Sequence, residues 1–135
     1  MASQLKVDTI TGVTTAGSVA VTGEGNSTTT NLQQGLCKHW VRFDPLNSNN
    51  LDDSFNNGSV TDGGTGIFTF TNTNPMGNAN HAPLMSGEIQ SDYRDSADSI
   101  LASGLATTSM KGYHVESNAG TDNGILIMAT FGDLA

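Results

Sequence analysis

The chain reads as all-β: an antiparallel β-sandwich or small barrel, jelly-roll-like, with an extended N-terminal arm. Two observations predict this. From Leu36 to Phe131 candidate strands and turn clusters alternate at a spacing of roughly ten residues, as in sandwiches and small barrels. All eight aromatic residues lie beyond position 35, so residues 1–35 form a Thr/Gly/Ser/Val stretch too poor in large side chains to offset an ordering entropy of roughly 1–2 kcal/mol per residue. At 135 residues the chain fits one domain. The division is an anchoring or oligomerisation arm over 1–35 and a β-sandwich domain over 36–135, long enough for a modest core.

In the arm, Gln4–Thr11 and Ser18–Thr22 have strand patterning, with Leu5 and Val7 on one face of the first and Val19 and Val21 on one face of the second. Such a two-strand hairpin is marginal in water unless another surface covers it. Leu5, Val7, Ile10, Val19 and Val21 are therefore the arm's candidate anchoring residues. Gly23-Glu24-Gly25-Asn26 breaks the pattern, and Thr28–Leu36 is either a helical turn or an extended connector.

The domain opens with Leu36–Asp44, LCKHWVRFD, which places Cys37, His39, Val41 and Phe43 on one face and Leu36, Lys38, Trp40 and Arg42 on the other. Both faces carry large side chains, so cover on both sides is expected. Asp53–Val60 reads as a short strand interrupted at Asn57-Gly58, Asp62–Gly66 as a turn, Ile67–Thr71 as a strand, and Asn72–Asn80 as a loop around Pro75. Further strands are expected at Asn80–Glu88, Ile100–Ala106, Thr108–Ser117 and Gly124–Phe131, the last two joined as a hairpin by a long loop. Ser91–Ser103 has the only helical spacing, against poor propensity in so much Ser and Asp. Trp40, Phe43, Phe55, Phe68, Phe70 and Phe131 are the expected core.

A net charge of −8 with only five scattered Lys and Arg residues argues against nucleic acid as a partner. Charged residues are 13% of the chain, and a surface of neutral hydrogen-bonding groups suits packed repeating assemblies as well as glycans. No segment approaches the ~20 apolar residues of a membrane span, and MASQLKVDTITG lacks the basic flank and apolar run of a secretory signal. The expectation is a chain made in a cytoplasm that stays soluble or joins a particle, with no membrane partner. Cys37, the sole cysteine, forms no intrachain disulfide and supplies no cysteine-based zinc site.

Catalytic chemistry finds little footing. His39, His81 and His114 each lie on a candidate strand with no neighbouring nucleophile motif, no G-x-S-x-G elbow occurs, and a Cys37/His39 pair lacks an orienting third group. Asp92, Asp95 and Asp98, or Asp52 with Asp53, gather carboxylates but not at the spacing of a calcium loop. Gly63-Gly64-Thr65-Gly66 is followed by a strand rather than by the Lys and helix of a phosphate loop. The expectation is a non-enzyme with no cofactor and no metal. In the loops Pro45–Asp52 and Asn72–Asn80 no aromatic is available to stack on a sugar, leaving Tyr93 and Tyr113 as the exposed-leaning aromatics.

LCKHWVRFD, DDSFNNGSVTDGGTGIFTFTNTNPMGNANHA and the terminal GILIMATFGD resemble a recurrent C-terminal β-domain of tail-fibre and other virion structural proteins of marine tailed phages, notably those of cyanobacteria. The resemblance rests on Trp40 and Phe43 in a W-x-x-F strand, on Asp53, Ser54, Phe55, Asn56, Ser59, Thr61, Asp62, Gly64, Thr65 and Gly66 in the hairpin pattern, and on Phe131, Gly132 and Asp133 at the end. SQLKVDTITG is similar to the N-terminal arms of such proteins. His81 stands where the family commonly has an aromatic, and Pro83 interrupts the next strand, implying an edge strand or a bend. The resemblance implies a virion structural protein, a tail-fibre or appendage part or a capsid decoration, usually homotrimeric, whose partners are sister subunits and other capsid or tail proteins. The alternative is a module of a tail fibre that binds a host cell-surface receptor, a glycan or a protein.

Overall fold

A computed structural model describes residues 4–13, 19–23, 28–48, 50–87, 99–116, 119–120, 122 and 124–134. The described residues form an all-β structure with one helical turn. Its elements are β1 (Ala20–Thr22), β2 (Thr29–Asn31), α1 (Leu32–Gly35), β3 (Cys37–Asp44), β4 (Asn50–Phe55), β5 (Asn57–Asp62), β6 (Ile67–Asn72), β7 (Ala82–Gly87), β8 (Ser99–Ser103), β9 (Ser109–Glu116), β10 (Ala119–Gly120) and β11 (Leu126–Phe131). Two antiparallel sheets make the sandwich. The first has the order β4-β3-β11-β7; the second runs β10-β9-β6-β5, with β8 also on β9.

Period-two alternation decides which side chains go between the sheets. From the first sheet, Val41, Phe43, Leu126 and Met128 point inward; from the second, Phe68, Phe70 and Met110 meet them, and Met76 enters from the loop after β6. The Phe43 ring stands edge-on to Phe68 at 4.9 Å and to Phe70 at 5.9 Å between centroids, the arrangement that ring quadrupoles favour. Each such fully buried apolar side chain contributes roughly 1.5–3 kcal/mol of burial.

The chain changes sheets between β4 and β5, at Asn56. Its φ of 59° is a left-handed conformation that Asn tolerates better than most residues. Asn56 Nδ2 donates to the carbonyls of Lys38 (2.9 Å) and Asn74 (3.1 Å), and its Oδ1 accepts from the Asn74 N–H (2.7 Å). The segment expected as one interrupted strand, Asp53–Val60, is thus two strands in different sheets, with the break at Asn56 rather than Asn57-Gly58. After β5, Asp62–Gly66 forms the expected turn: Asp62 Oδ1 accepts from the Gly64 N–H at 2.8 Å, and Gly64 and Gly66 have φ of 109° and 73°. Pro83 lies in β7, which is an edge strand, as its missing N–H requires.

Four further expectations are corrected. β9 and β11 are not a hairpin but belong to different sheets, because β11 completes the first sheet between β3 and β7. β3 is not covered along both faces: His39, Val41 and Phe43 are buried on the inner side, whereas on the other side Lys38 is buried but Trp40 and Arg42 are exposed, so that among the described residues the outer cover reaches only the start of the strand. Trp40 and Phe55 are consequently not core but 37% and 50% exposed, as directly opposed partners on β3 and β4. Phe131 follows Leu126, Met128 and Thr130 in the alternation of β11 and is a half-buried outer-face residue.

In the arm, β1 pairs with β2, not with the first predicted strand, and the Gly23 N–H closes the hairpin on the Thr28 carbonyl at 2.9 Å. Residues 4–13 form no strand; their alternation finds no partner edge among the described residues. Thr28–Leu36 contains both a strand and a helical turn. Of the Ser91–Ser103 helical spacing, Ser99–Ser103 is strand β8 and 91–98 lie outside the described residues.

Candidate functional site

Two surfaces stand out. One is apolar and has two parts, the arm and the outer face of the first sheet. Leu5, Val7, Ile10 and Val21 are 51–82% exposed, and Val19 is half-buried beside the hairpin, where its carbonyl accepts from Leu32 N–H. None of them enters the core cluster. On the outer face, Phe55, Trp40, Ala129 and Leu84 are successive cross-strand neighbours over β4, β3, β11 and β7. This apolar row crosses the whole sheet, with Ile127 beside it at 43% exposure. Arg42, paired with Asp52, borders the row on β3.

The other surface is a cleft of about 380 Å³ with a mixed polar and apolar lining. It lies where the loop after β6, the end of β11 and α1 converge. Gln34, Asn78, Asn80 and Asp133 supply amide and carboxylate groups around the Phe131 ring, with the small residues Ala82 and Gly132 leaving room. Backbone pairing fixes the walls: the Gly77 N–H donates to the Asp133 carbonyl at 2.7 Å, Met76 N–H to the Thr107 carbonyl at 2.7 Å, and Met76 bridges Leu134. Asn78 Oδ1 accepts from the Asn80 N–H at 2.7 Å, and buried His81 lies with Nδ1 3.3 Å from the Asn78 carbonyl. Gly132 is required here, since a Cβ at that position would stand 2.9 Å from His81 Cβ. Gln34 Nε2 donates to Asp133 Oδ2 at 3.0 Å, tying α1 to the domain.

The other singled-out residues are placed without being gathered into a reactive site. The Cys37 thiol donates to the His39 carbonyl at 3.1 Å rather than to its ring, which turns inward with Nε2 3.3 Å from Asn57 Oδ1. Burial lowers the His39 pKa below its ordinary 6.5; the Asn57 contact opposes the shift and the charge of His81 adds to it. His81 and His114 are buried. Asp52 is engaged by Arg42 and by the Asn50 amide, while Asp53 Oδ1 caps the Ser54 N–H. Tyr113 is half-buried on β9; Tyr93, Asp92, Asp95 and Asp98 lie outside the described residues. No group of three His, Cys, Asp or Glu residues among the described residues is placed to hold a metal. No helix among them is long and apolar enough to cross a membrane.

The sequence reading missed the cleft because it placed Phe131 in the core and judged the Asn72–Asn80 loop without an aromatic. The signal was present in parity, since Thr130 inward forces Phe131 outward. Compared with protein-family models, curated proteins and solved structures, the chain matches none of them.

Proposed function

We propose that this chain is a virion structural protein, an appendage or capsid-decoration component, in which the β-sandwich is displayed and the arm fastens it to sister subunits in a homotrimer and to other virion proteins. One observation carries the reading: the arm's apolar side chains are solvent-exposed in a chain whose core is closed without them. Leaving Leu5 or Ile10 in water forfeits about 1.5–3 kcal/mol each, which contact with a second surface recovers. The apolar row of Phe55, Trp40, Ala129 and Leu84 is a second surface of the same kind, and uncovered patches of this sort mark contact faces. The virion setting is supported by the resemblance carried by the W-x-x-F strand, the following hairpin pattern and the terminal F-G-D. The reading assigns the chain no catalytic step.

Deletion of residues 1–35 tests it. The truncated protein is expected to fold yet fail to join particles; incorporation at normal occupancy overturns the proposal. Copy number then separates the positions on the particle, roughly a few hundred for capsid decoration and roughly three to eighteen for a tail appendage.

A further inference from the structure

We infer that the cleft between α1, the loop after β6 and the end of β11 binds a neutral sugar, a pyranose ring lying against Phe131 with its hydroxyls held by Asn78, Asn80, Gln34 and Asp133. The inference is distinct from assembly through the arm's apolar side chains, none of which lines the cleft, although Gln34 of the arm does. Its volume of about 380 Å³ is at the lower end of the range for small-ligand pockets, roughly 300–1,000 Å³, and suits one or two sugar rings. The chemistry of the lining is selective. A sugar hydroxyl both donates and accepts, and side-chain amides and a carboxylate present the complementary set, while an aromatic ring packs on the C–H face of a pyranose.

The polar groups are positioned with capacity to spare. The Asn80 side-chain amide makes no hydrogen bond among the described residues, and Asn78 uses its Oδ1 on the Asn80 N–H, which leaves its NH₂ as a donor. Asp133 uses Oδ2 on Gln34, which leaves Oδ1 and the Gln34 carbonyl oxygen as acceptors. The walls are held by the backbone bonds of Met76 and Gly77, so little ordering entropy is lost on binding. Charge sets the ligand class. Among the described residues the lining contains Asp133 and neither Lys nor Arg, and the chain carries −8 overall, so anionic sugars are repelled.

The test titrates the isotopically labelled full chain with methyl glucoside, methyl galactoside and methyl mannoside, and with N-acetylneuraminic acid as the anionic control, following amide resonances by NMR. At least one neutral glycoside is expected to shift the Gln34, Asn78 and Asn80 side-chain amides and the Gly132 and Asp133 backbone amides, with a dissociation constant on the order of 1–10 mM for so small a ligand. Asn80→Ala, which removes no side-chain bond among the described residues, is expected to weaken binding about five-fold or more with an unchanged melting temperature. Three results overturn the inference: no shifts at these residues at about 50 mM of any neutral glycoside, binding unaffected by Asn80→Ala, or binding of the anionic sugar as strong as that of the best neutral one.

Discussion

Replacing Asn56 by alanine tests the sheet-switching corner. The side chain makes one partly buried bond to the Lys38 carbonyl and two exposed ones to Asn74. At about 0.5–1.5 kcal/mol net per bond, with the exposed pair at the low end, their loss removes about 2 kcal/mol. Alanine at φ 59° adds about 1 kcal/mol of steric cost. Asn56→Ala is therefore expected to destabilise by about 3 kcal/mol, and Asn56→Gly, which takes the left-handed conformation freely, by about 2 kcal/mol. Urea unfolding followed by far-UV circular dichroism measures both. With a slope of about 1.5 kcal/mol per molar urea, the alanine midpoint falls by about 2 M. A loss below about 1 kcal/mol for alanine, or an alanine variant more stable than the glycine one, would refute the corner's assigned role.

Two further outcomes follow from the core. Because burial lowers the His39 pKa, between that lowered value and 6.5 the unfolded chain binds a proton that the folded chain refuses. This group's contribution therefore makes stability rise with pH across that window, by at most about 1.4 kcal/mol per pH unit, and leaves it flat above the window. Urea midpoints from pH 5 to 8 should show the acid loss, and His39→Gln should flatten it; an unchanged slope in the variant contradicts the assignment. At Gly112 a Cβ would lie 2.7 Å from Met85 Cε and 2.9 Å from Phe70 Cε2. Gly112→Ala is expected to lower stability by about 1–3 kcal/mol in the same assay, since the Phe70 ring has no room to retreat.

The fold class was legible because turn chemistry is local. Asp62–Gly66 announces its turn through Asp62 and two glycines at positive φ, and β6 follows as Ile67, Phe68, Thr69 and Phe70 alternate. Pairing was less legible, because partners distant in sequence decide it. Thr108–Ser117 and Gly124–Phe131 look like one hairpin, yet β11 is taken by β3 and β7. The W-x-x-F strand shows the same limit: parity places Trp40 and Phe43 on opposite faces, but only the assembled sheets show which face is covered. The Phe131 cleft needed three elements brought together, Gln34 and Asp133 being 99 residues apart along the chain. The arm's exposure, in contrast, could be read from composition, since a segment without aromatics has little to bury.

The most direct measurement of the central claim is the molar mass of the full chain and of residues 36–135 by size-exclusion chromatography with light scattering. From a chain of 14.0 kDa, the full protein is expected at the trimer mass of about 42 kDa, with residues 36–135 folded but monomeric. A monomeric full chain, or a truncated domain that still trimerises, would contradict the claim that the arm is the device of assembly.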